Sequence, residues 1–233
     1  DSLKVVSIPS TVRRIYKEEN LTNAPFSNCH AIDSVYWNAY KCIDLPFTAG
    51  YSKRIRVVEF GDSIKHIPNY FCQSFDSLTT IIYPNHLQSI GKQAFYDCNN
   101  LSSVMILDSV STIGESAFHY CRNLTTVDFG KNLKTIGKSA FSNTGLRSVI
   151  LPEGVDSIAH AAFYNCDSLK VVSIPSSLQY VKGGSSSDAV FGSCTNIDSI
   201  YWNAHNCATN QPFYYTDNKR IRVVEFGDSI KHI

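Results

Sequence analysis

A pattern of apolar residues repeats along this chain with a period of about 23, and it limits the fold more than any other feature. Its clearest units open at Leu78, Leu101, Leu124, Leu146 and Leu169, so the spacing is constant to within one position. Each unit reads L-x-x-V/I-x-Φ, where Φ is a large apolar residue, and continues after a turn as V/L-x-x-I-G-x-x-A-F-x-x-C. A unit this short cannot bury its own apolar face, so successive units must stack on one another.

A longer repeat lies over the short one. Residues 1–10 recur unchanged at 167–176, residues 53–67 recur at 219–233, and the offset is the same for both segments. Weaker unit openings extend the short pattern to both ends of the chain, at Leu3, Ile32, Ile55, Ile197 and Ile221. We therefore predict one solenoid of about ten repeats over residues 1–233, cut from a longer array in which seven units form a super-repeat. Uncapped terminal repeats would then favour some end-to-end self-association.

The spacing within each unit predicts its local structure. In the opening segment the fourth and sixth residues point inward, which is the two-residue period of a β-strand. In the next segment Val110 and Ile113 are three apart and follow a turn signal, which predicts a second short extended arm. Phe118 and Cys121 are also three apart, which favours a single helical or 3₁₀ turn. The predicted fold class is therefore a right-handed, mostly β leucine-rich-repeat solenoid. It would have a parallel β-sheet of one short strand per repeat, short extended arms and 3₁₀ or helical turns.

Five cysteines occupy the last position of the unit, namely Cys29, Cys98, Cys121, Cys166 and Cys194. Other units carry Phe75 or Thr144 at the same position, so no pairing rule can run along the column. We expect buried free thiols that act as small apolar groups, rather than a chain of disulfides.

The complete unit resembles that of the BspA-like leucine-rich-repeat proteins, which reads L-x-x-I-x-I-P-x-x-V-x-x-I-G-x-x-A-F-x-x-C. Residues 169–175, LKVVSIP, and 136–141, IGKSAF, are close matches, and the resemblance covers nearly all of the chain. The departures are Pro68 at a Gly position, Thr144 at a Cys position and the long unit around 182–188. The resemblance implies secretion or surface anchoring, adhesion to host or bacterial proteins, and no catalytic activity. It implies no fixed binding residues.

Charge and motifs argue against several classes of function. The chain has 21 Lys and Arg against 20 Asp and Glu, a net charge of +1, so no basic field would attract nucleic acid. No apolar run approaches the roughly 20 residues of a membrane helix. The sequence has no CxxC pair, no GxSxG or HExxH motif and no phosphate-binding glycine loop. We therefore expect no enzyme, no metal and no cofactor.

The outward positions of the predicted strands are the natural recognition surface of a solenoid. We name seven of them as candidate partner-binding residues, with the two tyrosines as flanking anchors: Tyr36, Glu59, Ile82, Met105, Asp128, Ile150 and Tyr201. The three apolar members could form a stripe for a protein partner, or neighbouring loops could cover them. A hydrolase is the rival interpretation, but Glu59 and Asp128 would stand three rungs apart, about 15 Å at ~5 Å per rung. Paired hydrolytic carboxylates stand only about 5 to 9.5 Å apart.

A second outward column carries alternating charges. It contains Lys4, Asp33 and Arg56, which the super-repeat returns as Lys170, Asp198 and Arg222. Opposite charges on adjacent rungs predict a solvated ladder of ion pairs that contributes little to stability.

The sequence as a whole favours an extracellular or cell-surface binding module that adheres to a protein or glycan ligand on a host or bacterial surface. The alternative is a structural spacer that projects other domains and binds nothing itself. The Ser- and Gly-rich insertion at 183–188 and its counterpart at 16–28 differ in sequence, so a variable contact loop there is a further hypothesis.

Overall fold

The computed structural model describes most of the chain as a stack of short parallel strands. The described residues are 3–15, 26, 29–42, 47, 54–182, 188–205, 207–209, 212–213 and 220–227. Most of the two candidate loop segments, at 16–28 and 183–188, lies outside these residues.

Seventeen strands are present among the described residues. In chain order they are β1 (Val5–Ile8), β2 (Ser34–Trp37), β3 (Val57–Phe60), β4 (His66–Ile67), β5 (Thr80–Ile82), β6 (Ser89–Ile90), β7 (Ser103–Met105), β8 (Thr112–Ile113), β9 (Thr126–Asp128), β10 (Thr135–Ile136), β11 (Ser148–Ile150), β12 (Ser157–Ile158), β13 (Val171–Ile174), β14 (Tyr180–Val181), β15 (Ser199–Trp202), β16 (Ala208–Thr209) and β17 (Val223–Phe226).

The strands form two rows. The front row holds the strands that open each unit, and its hydrogen-bonded groups are β1-β2-β3-β5, β7-β9 and β11-β13-β15-β17. The arm row is one seven-stranded sheet in the order β16-β14-β12-β10-β8-β6-β4. All of these pairs are parallel, for example Val58 with Ile81 in the front row and Ile90 with Ile113 in the arm row. Among the described residues, the predicted opening strand is thus confirmed by ten front strands and the predicted extended arm by seven arm strands.

The predicted helical turn is not what the chain forms. In the segment after β8, Ser116 and Tyr120 have φ angles of 54° and 63°. Both residues therefore adopt the left-handed conformation, which is incompatible with a right-handed helical turn. Every second amide group of this segment points along the stack toward the neighbouring rung. The Phe118 amide, for example, donates to the Ala140 carbonyl of the next rung at 2.8 Å. The amide groups in between close tight turns, as from His119 to the Ser116 carbonyl at 3.1 Å. The backbone is therefore satisfied by the neighbouring rung as well as locally, which an isolated helical turn could not achieve.

The core between the two rows is a column of stacked phenylalanine rings. Successive centroids are 5.1 to 5.5 Å apart and the planes differ by 4° to 13°, along Phe95, Phe118, Phe141, Phe163, Phe191 and Phe213. Each rung thereby covers the apolar ring of the one before it, which is why no unit could hold its shape alone.

The cysteines at the last position of the unit are buried from Cys98 to Cys194, as predicted, whereas Cys29 is half-buried. The Cys98 thiol donates to the Cys72 carbonyl at 3.1 Å, and the Cys121 thiol donates to the Phe95 carbonyl at 3.0 Å. All eight cysteines are free thiols. Burial raises the pKa of Cys98 well above its usual value and that of Cys121 to about 12, so both remain protonated donors. The thiol is therefore a hydrogen-bond donor between rungs as well as a small apolar group.

Candidate binding face

The seven candidate residues all lie in one outward column of the front row, which we call the central column. The strand register pairs Tyr36 with Glu59 and Glu59 with Ile82, and it pairs Met105 with Asp128. Farther along, Ile150 pairs with Ser173 and Ser173 with Tyr201. Because the side chains of a strand alternate between two faces, a parallel register keeps this column on the solvent side throughout.

The three apolar members of the central column are open to solvent. Ile82, Met105 and Ile150 are 45%, 60% and 63% exposed. The alternative that neighbouring loops cover them is therefore wrong. We call these three residues the apolar patch, and Asp128, also exposed, stands between Met105 and Ile150.

Met105 stands between two shallow depressions in this surface. One is apolar and lies beside Ile82, Tyr83 and Leu107. The other is more polar and lies beside Asp108 and Asp128. The patch therefore offers a raised apolar side chain with a recess on each side, a shape that can hold the side chains of a partner.

The flanking tyrosines are less exposed than the patch. Tyr36 is half-buried because its ring leans toward the next rung: a Cβ on Gly61 would stand 2.5 Å from the Tyr36 hydroxyl oxygen. The glycine thus makes room for the phenol, which is held against the face instead of projecting from it. Tyr201 is also half-buried.

The second outward column, which we call the charged column, forms the predicted ion pairs. Arg56 donates two hydrogen bonds to Asp33, from Nε to Oδ1 at 2.5 Å and from Nη2 to Oδ2 at 3.0 Å. Arg222 donates to Asp198 in the same way from its Nε atom. The hydrogen bond from Arg56 lowers the pKa of Asp33 below its usual value, with a smaller contribution from the charge of Lys4. Arg222 lowers the pKa of Asp198 in the same manner.

Sequence reasoning missed two arginines beside this column. Arg54 lies with Lys4, Asp33 and Arg56 around one depression. Arg220 lies in the equivalent depression and donates to the side-chain oxygen of Asn196. The signal was present in the sequence, because the super-repeat returns the segment KRIRVVEF from residue 53 unchanged at residue 219.

An aromatic cluster on the turn segments was also missed. The rings of Tyr96 and His119 stack with centroids 5.4 Å apart, and Tyr120 meets the His119 ring edge-on at 4.2 Å. The Arg122 guanidinium lies 5.4 Å from the Tyr120 ring centroid. Burial lowers the pKa of His119, so its imidazole packs as a neutral aromatic ring.

The described residues hold no group of three or more His, Cys, Asp or Glu that could bind a metal ion. In the same part of the chain, no helix has both the length and the apolar character needed to cross a bilayer. The carboxylates of the central column, Glu59 and Asp128, stand three strands apart across the front row, in the arrangement that the spacing predicted.

Solved structures of bacterial repeat proteins share this architecture. A leucine-rich repeat protein from Bacteroides ovatus has 22% sequence identity and a TM-score of 0.66, over 98% of this chain and 70% of that one. The leucine-rich repeat protein of T. pallidum has 24% identity and a TM-score of 0.57, over 73% of this chain and 72% of that one. The pneumococcal vaccine antigen PcpA has 18% identity and a TM-score of 0.53, over 97% of this chain and 61% of that one. A search of curated proteins found no match.

The repeat pattern itself is matched by a family model. The model for the BspA type leucine-rich repeat region (6 copies) matches residues 1–123, 43–170 and 112–233, which together span the chain. The chain therefore belongs to the BspA-type leucine-rich-repeat family.

Proposed function

We propose that this chain is a non-enzymatic binding module of the cell surface or the extracellular space, and that it adheres to a protein partner through the apolar patch. The observation that carries the proposal is the exposure of three large apolar side chains, between 45% and 63%, in one column of the front row of strands. Exposed apolar groups of this kind mark interaction sites when they share one surface. The family, a surface-type repeat module for protein interaction, supports the same class of function.

The patch also indicates what a protein partner must offer. Asp128 between Met105 and Ile150 favours a Lys or Arg on the partner, surrounded by apolar side chains that fit beside Met105. A central apolar anchor within a polar rim is the usual arrangement of an interface hot spot.

A structural spacer is the second candidate, and the ion pairs favour it. The pairs Arg56–Asp33 and Arg222–Asp198 lie at the surface, with the arginine side chains 65% and 79% exposed. Such solvated pairs contribute little to stability. A spacer would show only surfaces of this kind, whereas the apolar patch has no role in projecting another domain.

Binding assays with a matched pair of variants test the proposal. The Ile82→Asp, Met105→Asp double variant adds two charges to the patch, and the control Tyr70→Asp, Tyr180→Asp adds two charges at exposed positions outside the front row. Both variants and the wild type are tested against host matrix proteins, glycans and bacterial surfaces, with circular dichroism as the check of folding. Loss of two hot-spot side chains should weaken binding by at least ~30-fold, equivalent to ~2 kcal/mol.

The outcomes separate the two candidates. Saturable binding that the patch variant loses and the control retains supports the adhesive patch. Absence of binding to every ligand overturns it and favours the spacer, whereas an equal loss in both variants overturns the assignment of binding to the apolar patch.

A further inference from the structure

Two depressions of the same composition lie on the charged column, one in each copy of the super-repeat. The first is lined by the side chains of Lys4, Asp33, Arg54 and Arg56, with the buried Ile32 at its floor. The second is lined by Lys170, Asn196, Asp198, Arg220 and Arg222. Each therefore brings three cations around one carboxylate. We call them the first and second cationic pockets.

These exposed cations are retained between copies that differ elsewhere. Lys4, Arg54 and Arg56 recur as Lys170, Arg220 and Arg222, and all six side chains are exposed. The arms that follow have diverged, since residues 11–14 read TVRR in one copy and SLQY at 177–180 in the other. Even the buried Val35 has become Ile200. The six cations lie in the segments 1–10 and 53–67, which recur with every residue unchanged, so both copies of the super-repeat present the same three cations.

The carboxylate in each pocket positions an arginine and does not neutralise the positive charge of the pocket. Asp33 accepts hydrogen bonds from Nε and Nη2 of Arg56, so the N–H groups of Nη1 remain for a ligand. Arg54 has no carboxylate partner among the described residues, and the Lys4 ammonium supplies three more donors. Three positive charges against one negative charge leave each pocket with a formal surplus of two. Arginine forks and ammonium groups in this arrangement suit a carboxylate or sulfate oxyanion.

The column between the pockets carries three hydroxyl groups, one arginine and no carboxylate. From the first pocket toward the second, the equivalent positions hold Thr79, Ser102, Thr125 and Arg147. The Thr125 amide donates to the Ser102 carbonyl and the Arg147 amide donates to the Thr125 carbonyl, which keeps these positions in line. Thr79 and Ser102 are exposed. Lys4 and Lys170 are seven rungs apart in this column, which is about 34 Å at ~4.8 Å per strand.

From this pattern we propose that the charged column binds an extended acidic polysaccharide, with one oxyanion in each cationic pocket and sugar hydroxyls along the track between them. A nucleic acid duplex has a phosphate every ~3.4 Å of each strand, whereas Arg147 is the one cation at the four column positions between the pockets. A folded acidic protein would not require the same pocket at a repeated spacing. A sugar chain with spaced acid groups matches both the pockets and the hydroxyl track. The inference does not depend on the apolar patch, which lies in the other column.

Surface plasmon resonance on two immobilised polysaccharides tests the proposal and identifies the acid group. Heparin presents sulfate and carboxylate groups, whereas hyaluronan presents carboxylate groups alone. The first-pocket variant is Lys4→Ala, Arg54→Ala and the second-pocket variant is Lys170→Ala, Arg220→Ala; both leave the arginine–aspartate pairs intact. The control Lys65→Ala, Lys134→Ala removes two exposed cations outside the front row. Thermal unfolding checks that every variant is folded.

We expect wild-type protein to bind one of the two long polymers at both pockets at once. Removal of either pocket should then weaken binding to the long chain by roughly 100-fold or more, because attachment at two points is lost. Fragments too short to span the pockets should bind at two sites on the wild type and at one site on either variant. The control, and an Ile82→Ser, Met105→Ser variant of the apolar patch, should bind like the wild type.

Three results would overturn the inference. The first is no binding to either polymer at low ionic strength, where such contacts are strongest. The second is a control variant that loses as much affinity as the pocket variants, which indicates diffuse charge attraction. The third is tighter binding to a single-stranded RNA than to either polysaccharide.

Discussion

Substitution of Gly114 by alanine adds one methyl group at a point where two rungs are in close contact, and it therefore tests how closely the rungs stack. A Cβ placed there would lie 2.7 Å from the carbonyl carbon of Gly91, 2.8 Å from the amide nitrogen of Lys92 and 2.9 Å from the carbonyl oxygen of Ile90. All three are backbone atoms of the preceding rung, so no side-chain rotation can relieve the contact. The substitution Gly114→Ala must therefore move one rung against its neighbour.

We expect Gly114→Ala to lower the free energy of unfolding by about 1 to 2 kcal/mol, because excess volume in a packed interior costs about 1–3 kcal/mol. The lower entropy of the unfolded chain with Ala offsets about 0.4–1 kcal/mol of that cost. For a chain of this size, the midpoint of thermal unfolding should fall by about 2 to 8 °C, as followed by circular dichroism.

Ala159 provides the control because it occupies the same place two rungs farther on. Its amide donates to the Ile136 carbonyl at 2.9 Å, just as the Gly114 amide donates to the Ile90 carbonyl at 2.9 Å. The reverse change Ala159→Gly removes a methyl that the stack already holds, and should cost about 0.5–1 kcal/mol through chain entropy. Both changes should therefore destabilise the protein. If Gly114→Ala is as stable as the wild type, the rungs separate freely and the argument from close contact is refuted.

Two further predictions concern ionisation. Binding to heparin should strengthen only as the pH falls below about 3.8, since Arg56 and Arg222 hold the pKa of Asp33 and Asp198 below that usual value and protonation removes a negative charge from each pocket. The stabilising contribution of the two pairs is lost over the same fall in pH, so weaker binding by protein that remains folded would contradict the prediction. The thiol of Cys121, with a pKa raised by burial to about 12, should react with a thiol reagent only after unfolding. Mass spectrometry of the labelled peptides checks this, and equal labelling of native and unfolded protein would contradict it.

The central column could be predicted from the sequence because each inference that leads to it depends only on local spacing within the repeat. A two-residue period fixes which side of the strand a residue faces, and a nearly constant unit length fixes the register. Met105 and Asp128 occupy the same position of adjacent units and are direct partners. Whether Ile82 is covered could not be predicted in this way, since the answer depends on where other segments of the chain run. Its 45% exposure is a property of the whole stack.

The turn segments show where local reasoning fails. The spacing of three between Phe118 and Cys121 fits a helical turn and equally fits two successive tight turns. The choice is made by the Ala140 carbonyl, which accepts from the Phe118 amide and belongs to the next unit of the sequence. A single unit contains no signal for this bond. The positive φ angle at Ser116 is likewise a consequence of stacking. The sequence does not signal it, because the residue at this position is not a glycine.

The front face differs in chemistry from rung to rung along the stack, as well as from the charged column to the central column across it. The charged residues of one cationic pocket lie just before the first three front strands and those of the other lie just before the last three, while the apolar patch lies on β5, β7 and β11 between them. The charged and central columns are three residues apart, as Asp33 is from Tyr36, which is about 10 Å along a strand. A protein interface of standard size buries about 800 Å² on each partner and would extend across both columns. A protein seated on the apolar patch would therefore cover the hydroxyl track, so the polysaccharide and the protein partner proposed for this face must compete for it.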